Sequence, residues 1–199
     1  MKPTPSFILA STSPYRRALL ERIGLPHVAL APRFEESSAE KIEPRDLALL
    51  FAEGKARSVA PEHPSAWIIG SDQTLELDGD LLRKPHDRAE LLAQLGRLAG
   101  REHALNTAVV VLDGTTGRIE REVTTVTLTM RALGARELER YVELDEPFGC
   151  VGGYTFERRG VCLFERVSGG DDSSIVGLPL MSLLRCISAL GIEPLTLLR

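Results

Sequence analysis

The chain has 199 residues, 43% hydrophobic and 26% charged, a composition ordinary for a soluble globular protein that can bury a full core without a disulfide or metal staple. With 24 basic against 28 acidic side chains the net charge is −4, which argues against an electrostatic nucleic-acid binder, since that needs a dense basic face. Cys150, Cys162 and Cys186 are odd in number and form no CxxC pair, so they are expected as reduced core residues of a cytoplasmic protein.

Near the start, Phe7-Ile8-Leu9-Ala10 is an apolar run too short for a signal-peptide core. No apolar stretch approaches the ~20 residues of a membrane span, so neither secretion nor a membrane partner is expected. The same run reads as a buried strand. Ser11-Thr12-Ser13 then offers N-cap hydroxyls, and Pro14 suits the first turn of a helix that carries Leu19, Leu20 and Ile23 and stops at Gly24. A short strand over 28–30 leads to the acidic loop Arg33-Phe34-Glu35-Glu36-Ser37. Pro44 opens a helix with Leu47, Leu50, Phe51 and Val59 spaced for one buried face. Gly54 inside it costs ~1 kcal/mol relative to alanine, a sign of close packing.

Ala66-Trp67-Ile68-Ile69 reads as a strand ending in Gly70-Ser71-Asp72-Gln73. Asp78-Gly79 is a hairpin signal between Leu75/Leu77 and Leu81. Asp87 and Glu90 start a helix carrying Leu91, Leu92, Leu95 and Leu98, ended by Gly100. Long strands are expected over 103–112 and 123–130, joined at Asp113-Gly114, and a helix over 135–144. The pair Gly152-Gly153, a strand through Val161-Cys162-Leu163-Phe164 and a final helix over 180–190 complete the chain. Apolar runs alternating with helix-period segments mark an α/β protein, and with no repeat, linker or charge block, residues 1–199 read as one domain, two-lobed.

Two segments carry the chemistry. Ser11-Thr12-Ser13-Pro14-Tyr15-Arg16-Arg17 leaves a strand and enters a helix, so free N–H groups, hydroxyls and guanidinium groups there form either a phosphate receptor or an ordinary cap with solvated arginines. No GxxxxGK[ST] or strand-following GxGxxG is present. Asp72, expected at a strand end, reads as a general base, a metal ligand or a turn aspartate. Glu35 and Glu36 also follow a strand; they form a solvated loop or share a divalent ion with Asp72. Hard oxygen ligands suit Mg2+ or Mn2+ rather than zinc. Lys84, fixed by Pro85, is placed to face the cleft of Asp72, and Lys55 is either a cleft cation or a surface charge. His27, His63, His86 and His103 have no metal-ligand spacing, and no GxSxG supports a nucleophilic serine.

Taken together, the chain resembles the Maf family of nucleoside triphosphate pyrophosphatases. The resemblance rests on Leu9-Ala10-Ser11-Thr12-Ser13-Pro14-x-Arg16-Arg17-x-x-Leu20, Glu53-Gly54-Lys55-Ala56, Ile69-Gly70-Ser71-Asp72-Gln73, Lys84-Pro85 and Val176-Gly177-Leu178-Pro179, in order over nearly the whole chain. Tyr15, Gln73 and Glu157 resemble the subgroup acting on 7-methyl-GTP, whereas the dTTP/UTP subgroup has arginine in place of Tyr15. The chain departs from the family pattern at Glu35, where aspartate is usual, and at Gly153, where serine is expected.

The resemblance implies a mixed central β-sheet flanked by helices, two-lobed and Maf/ITPase-like. It implies hydrolysis between the α- and β-phosphates of a nucleotide by a hydrolase of phosphoric anhydrides, and a homodimer by analogy. On it, Asp72 is the general base, and Ser11, Arg16, Lys55 and Lys84 meet the phosphates. Tyr15, Gln73 and Glu157 meet the nucleoside, and Glu36 with Asp72 holds the divalent metal cation. A dTTP/UTP enzyme and a non-catalytic regulator of septum formation are the alternative expectations.

Overall fold

The computed structural model describes residues 5–36 and 42–199, so Ser37 of the acidic loop and residues 1–4 lie outside it. β1 (Phe7–Ala10) is buried throughout and leads into α1 (Pro14–Arg22), where the Ser13 hydroxyl accepts the Arg16 N–H and Pro14 takes the first turn. β2 (His27–Leu30) follows, and α2 (Pro44–Val59) returns the chain to β3 (Trp67–Leu77). Asp78 and Gly79, at φ 54° and 87°, turn the chain tightly into β4 (Asp80–Leu82). α3 (Arg88–Leu98) starts on its Asp87 cap and precedes β5 (Glu102–Asp113), β6 (Ile119–Met130) and α4 (Ala135–Asp145). β7 (Phe164–Ser168), the short α5 (Asp172–Val176) and α6 (Leu180–Ala189) close the order.

Among the described residues seven strands form one sheet in the order β2-β1-β3-β5-β6-β7, with β4 folded onto β3. β1 runs parallel to β2 and β3, and the other pairs are antiparallel, so the sheet is mixed as expected. Side-chain alternation sorts the core. Ile8, Ala10, Ile68, Ala108 and Val110 pack under α2, where small Ala48, Ala52 and Ala56 let the helix come close. Phe7, Leu9, Trp67, Ile69, Val109 and Val111 face the opposite way, toward α1 and α6. Farther along that second face, Leu75, Leu77, Leu105, Val126 and Leu128 meet α3 and α4 in a separate cluster. The long strands β3, β5 and β6 therefore carry two lobes of core. No helix of the described residues is long and apolar enough to cross a membrane.

Four expectations need correction. The strand expected to end at residues 70–73 continues to Leu77, because β5 pairs with it from Trp67 to Glu76 without a break. Residues 161–163 form a 3-10 turn over Arg159–Leu163 rather than a strand, which begins only at Phe164. The backbone there packs so closely that a Cβ on Gly160 would lie 2.5 Å from the Thr155 carbonyl. Leu50 is 46% exposed beside buried Leu47 and Phe51, so the buried stripe of α2 is narrower than its spacing suggests. Of the three thiols only Cys186 is in the core; Cys162 is exposed and Cys150 partly buried.

His103 is buried, with its ring against Tyr154 and Phe164 and Nε2 at 3.0 Å from the Tyr154 hydroxyl. Burial pulls its pKa down to about 4. The folded protein therefore keeps it neutral while the unfolded chain protonates near the ordinary value of 6.5. This group's contribution is complete above that value and is lost as pH falls toward about 4. Chemical denaturation is expected to find the protein about 2–3 kcal/mol less stable near pH 4.5 than near pH 7.5 through this group. His103→Gln is expected to flatten that part of the slope, and an unaltered slope would assign it to other groups.

Candidate active site

β1 pairs with β3 only at Trp67, Ile68 and Ile69, and β4 pairs with it only from Leu75 to Leu77. Between these contacts, residues 70–74 keep β5 on one side and have no strand of the described residues on the other. A cleft of about 530 Å³ opens at this gap, within the range of small-molecule sites. Its walls come from the first turn of α1, the loop after β2, α2, β3, the segment after β4, residues 149–157 and the end of α5.

Two glycines bring one wall together. A Cβ on Gly70 would stand 2.1 Å from the Ala52 carbonyl, so α2 lies directly on β3. A Cβ on Gly54 would stand 2.2 Å from the Phe34 ring, so the loop bearing Glu36 lies directly on α2. Between these contacts Lys55, only 8% exposed, places Nζ in direct contact with Asp72 Oδ1 and 2.7 Å from Glu36 Oε1. Arg16 completes the group, with Nη2 3.9 Å from Asp72 Oδ1, Nη1 donating to Ser11 Oγ at 3.3 Å and Nε donating to the Gly177 carbonyl at 2.8 Å.

Burial raises the Asp72 pKa above the usual carboxylate range, against the pull of Lys55 and Arg16. Burial lowers that of Arg16, opposed by Asp72 and Glu36. The cluster thus neutralises itself pairwise, with Lys55, Asp72 and Arg16 largely held out of bulk water and Glu36 reaching them from the exposed loop. Glu36 and Asp72 share one ammonium, which puts two hard oxygen donors side by side, and no group of three or more His, Cys, Asp and Glu occurs among the described residues. Two carboxylates suit a magnesium-like ion that completes its shell with water and phosphate oxygens, and they do not suit zinc.

A second set of residues lining the cleft has a different character. Burial, together with neighbouring Cys150 and Glu157, pushes the Tyr15 hydroxyl pKa up to about 12. Glu157 lies on the exposed rim, and Lys84 lines the same cleft. The loop carrying Cys150 and Glu157 is pinned by Asp145, which accepts from Thr155 Oγ1 at 2.5 Å and pairs with Arg159 at 3.0 Å. The Tyr141 hydroxyl accepts the Thr155 N–H at 2.9 Å. Gln73 turns its amide Nε2 away from solvent, toward Thr107 Oγ1, the Ser174 carbonyl and the Ile175 carbonyl at 2.8, 3.0 and 3.1 Å.

All nine residues singled out from sequence line this cleft or the depression that continues from it past Ser11 and Lys55. Ser11, Arg16, Glu36, Lys55 and Asp72 are in mutual contact; Tyr15 and Glu157 form a second group; Lys84 touches neither directly. Lys55 is not a surface charge, and Asp72 is neither a turn residue nor at a strand end. Sequence reasoning missed α5, Ser71, Thr107 and the Asp145 anchor. Asp171 was a readable cap for α5, since its carboxylate accepts the Ser174 N–H, but a five-residue helix has too little period to detect.

The family described as Maf-like protein matches residues 6–190. The 7-methyl-GTP pyrophosphatase of Hahella chejuensis is 39% identical over 192 residues, covering 96% of each chain. The protein of that name from Ralstonia nicotianae is 42% identical over 179 residues, covering 90% of this chain and 92% of its own. The one from Albidiferax ferrireducens is 39% identical over 188 residues, covering 94% of each.

Removing one member of a buried pair leaves the other charge uncompensated, a loss of about 3–5 kcal/mol. Lys55→Met is therefore expected to lower unfolding free energy by about that amount, and adding Asp72→Asn to recover at least half of it. Additive losses in a denaturant double-mutant cycle would show that the two side chains do not act as a pair.

Proposed function

Because the chain belongs to the Maf family, we propose that it is a nucleoside triphosphate pyrophosphatase, a hydrolase of phosphoric anhydrides, whose substrate is 7-methyl-GTP. The observation that carries this reading is the charged cluster of Lys55, Arg16, Asp72 and Glu36, built on buried Lys55 and Asp72, in a cleft that Tyr15 and Glu157 also line. The names of the three relatives support the same substrate. On this reading residues 1–199 are a single domain acting on the cytoplasmic nucleotide pool, in keeping with free thiols. A non-catalytic regulator needs phosphate contacts but no buried carboxylate among them, so Asp72 favours the enzyme.

Ser11, Arg16, Lys55 and Lys84 bind the triphosphate, Arg16 through a forked guanidinium whose other donors are already held in place. Glu36 and Asp72 are the residues that would hold a divalent cation, Mg2+ or Mn2+, which would supply positive charge beside the phosphates. Asp72 takes the proton from a water that attacks the α-phosphorus. The bond from that phosphorus to the α,β-bridging oxygen breaks, and pyrophosphate leaves with the nucleoside monophosphate as the second product. Desolvation raises the Asp72 pKa and makes it a stronger base than a solvated carboxylate, against the opposing pull of Lys55 and Arg16.

At the nucleoside end, N7-methylation gives guanine a delocalised positive charge. The Tyr15 ring offers that cation a face, worth ~0.5–2 kcal/mol, and Glu157 accepts from the guanine N1–H and exocyclic amine. An arginine in place of Tyr15 would repel the base.

Steady-state kcat/KM for 7-methyl-GTP, GTP, dTTP and UTP, followed by pyrophosphate release, is expected to rank 7-methyl-GTP first. Tyr15→Arg is expected to reduce its hydrolysis more than that of UTP. A wild type that prefers dTTP or UTP sinks the substrate assignment and leaves the pyrophosphatase.

Asp72→Asn is expected to lower kcat by at least about 10²–10⁴, with nucleotide binding largely retained. EDTA is expected to stop turnover and Mg2+ or Mn2+ to restore it. More than about a tenth of wild-type activity in Asp72→Asn removes the base from the mechanism.

A further inference from the structure

Two hydrogen-bond networks left unused by that mechanism meet on residues 174–177. α5 ends at Val176, and its last carbonyls have no partner within so short a helix. The chain then turns at Gly177 with φ +124°, a conformation that residues with a Cβ rarely adopt. The Ser174 carbonyl accepts from Thr107 Oγ1 at 2.7 Å and Gln73 Nε2 at 3.0 Å; the Ile175 carbonyl accepts from Gln73 Nε2 at 3.1 Å. The Gly177 carbonyl accepts from Arg16 Nε at 2.8 Å and from Ser71 Oγ at 3.0 Å, the Ser71 hydroxyl sharing its one proton between Gly177 and the Ala108 carbonyl at 2.8 Å. Ser71 and Thr107 are fully buried, one on β3 and the other on β5. Asp172 also pairs with Arg22 at 2.6 Å, which ties α5 to the helix that bears Arg16.

We propose that residues 174–177 form a positioning bracket, whose carbonyl oxygens aim Arg16 and Gln73 at the two ends of the substrate while the buried hydroxyls of Ser71 and Thr107 hold those carbonyls in place. The bracket rests on the reading of Arg16 as a phosphate contact and Gln73 as a nucleoside contact. It fixes the polarity of both. With Nε on the Gly177 carbonyl and one Nη1 hydrogen on Ser11 Oγ, Arg16 has its remaining Nη hydrogens for phosphate. With Nε2 facing two carbonyls that can only accept, the Gln73 amide cannot flip, and it offers the cleft its Oε1, an acceptor for a nucleoside N–H or O–H. Ser71 and Thr107 are positioning residues and touch no reacting atom.

The test uses two competitive inhibitors, inorganic triphosphate for one end and 7-methylguanosine for the other, against 7-methyl-GTP hydrolysis by wild type, Ser71→Ala, Thr107→Val and Thr107→Ser. Losing one buried hydroxyl is expected to weaken the matching inhibitor about five- to tenfold and the other by less than about twofold. Ser71→Ala acts on triphosphate and Thr107→Val on 7-methylguanosine, KM rises more than kcat falls, and Thr107→Ser restores the wild-type value. Parallel losses on both inhibitors, or a Thr107→Ser no better than Thr107→Val, overturn the bracket. A wild type inhibited by neither compound overturns the underlying assignment of Arg16 and Gln73 and the bracket with it, whereas normal wild-type inhibition with parallel losses removes the bracket alone.

Discussion

A lysine ammonium cannot be buried alone, and the candidate site is built around satisfying one. Lys55 finds two carboxylates, Asp72 from β3 and Glu36 from the loop after β2, and its position on α2 depends on the absence of a side chain at Gly70 and Gly54. With a Cβ at Gly70 the helix would stand off from the strand, and Nζ would retreat from Asp72. With a Cβ at Gly54 the Phe34 ring would be displaced and Glu36 carried away with its loop. Three separate chain segments are thus brought to one point by a pair of close approaches and one desolvated charge.

The second constraint is the unequal length of neighbouring strands. β1 covers only three residues of β3, while β5 supports nearly its full length. An unpaired strand edge inside a protein exposes its backbone to whatever fills the gap, and here the gap is the cleft. Because alternate side chains point to opposite faces, Asp72 turns toward α2 and Gln73 toward α5 from adjacent positions. One stretch of strand thereby supplies groups to the two faces of the sheet, and each face has its own anchoring helix.

Much of this was legible in the chain. Strong local signals, such as the Ser13 cap with Pro14, the Asp78-Gly79 turn and the Asp87 cap, act within a few residues and survive folding unchanged. The nine site residues were legible through motif resemblance, and Gly54 through its unfavourable place in a helix. What could not be read was set by distant partners. The length of β3 depends on pairing with β5, whose partner residues lie far along the sequence, as Thr74 pairs with Asn106. The burial of Lys55 depends on a contact between a helix carbonyl and a strand glycine that no local pattern encodes. The 3-10 turn at Arg159–Leu163 follows from Asp145 holding Arg159 and Thr155, although the same residues have the composition of a strand. Local propensity there yields to tertiary hydrogen bonding.

The distribution of charge also explains how a chain of net charge −4 can serve a polyanionic substrate. Attraction at a site depends on the charges within a few ångströms and on how far they are desolvated, more than on the sum over the surface. Arg16, Lys55 and Lys84 face the proposed triphosphate, and the acids among them are already paired. Glu157 lines the same cleft near Tyr15, where a cationic base is proposed to lie. A nucleotide that is negative at one end and positive at the other gains at both. One with a neutral base gains at the phosphates and leaves Glu157 to be desolvated with less return, so selectivity on this reading comes from the base end while the phosphate end supplies affinity common to all triphosphates.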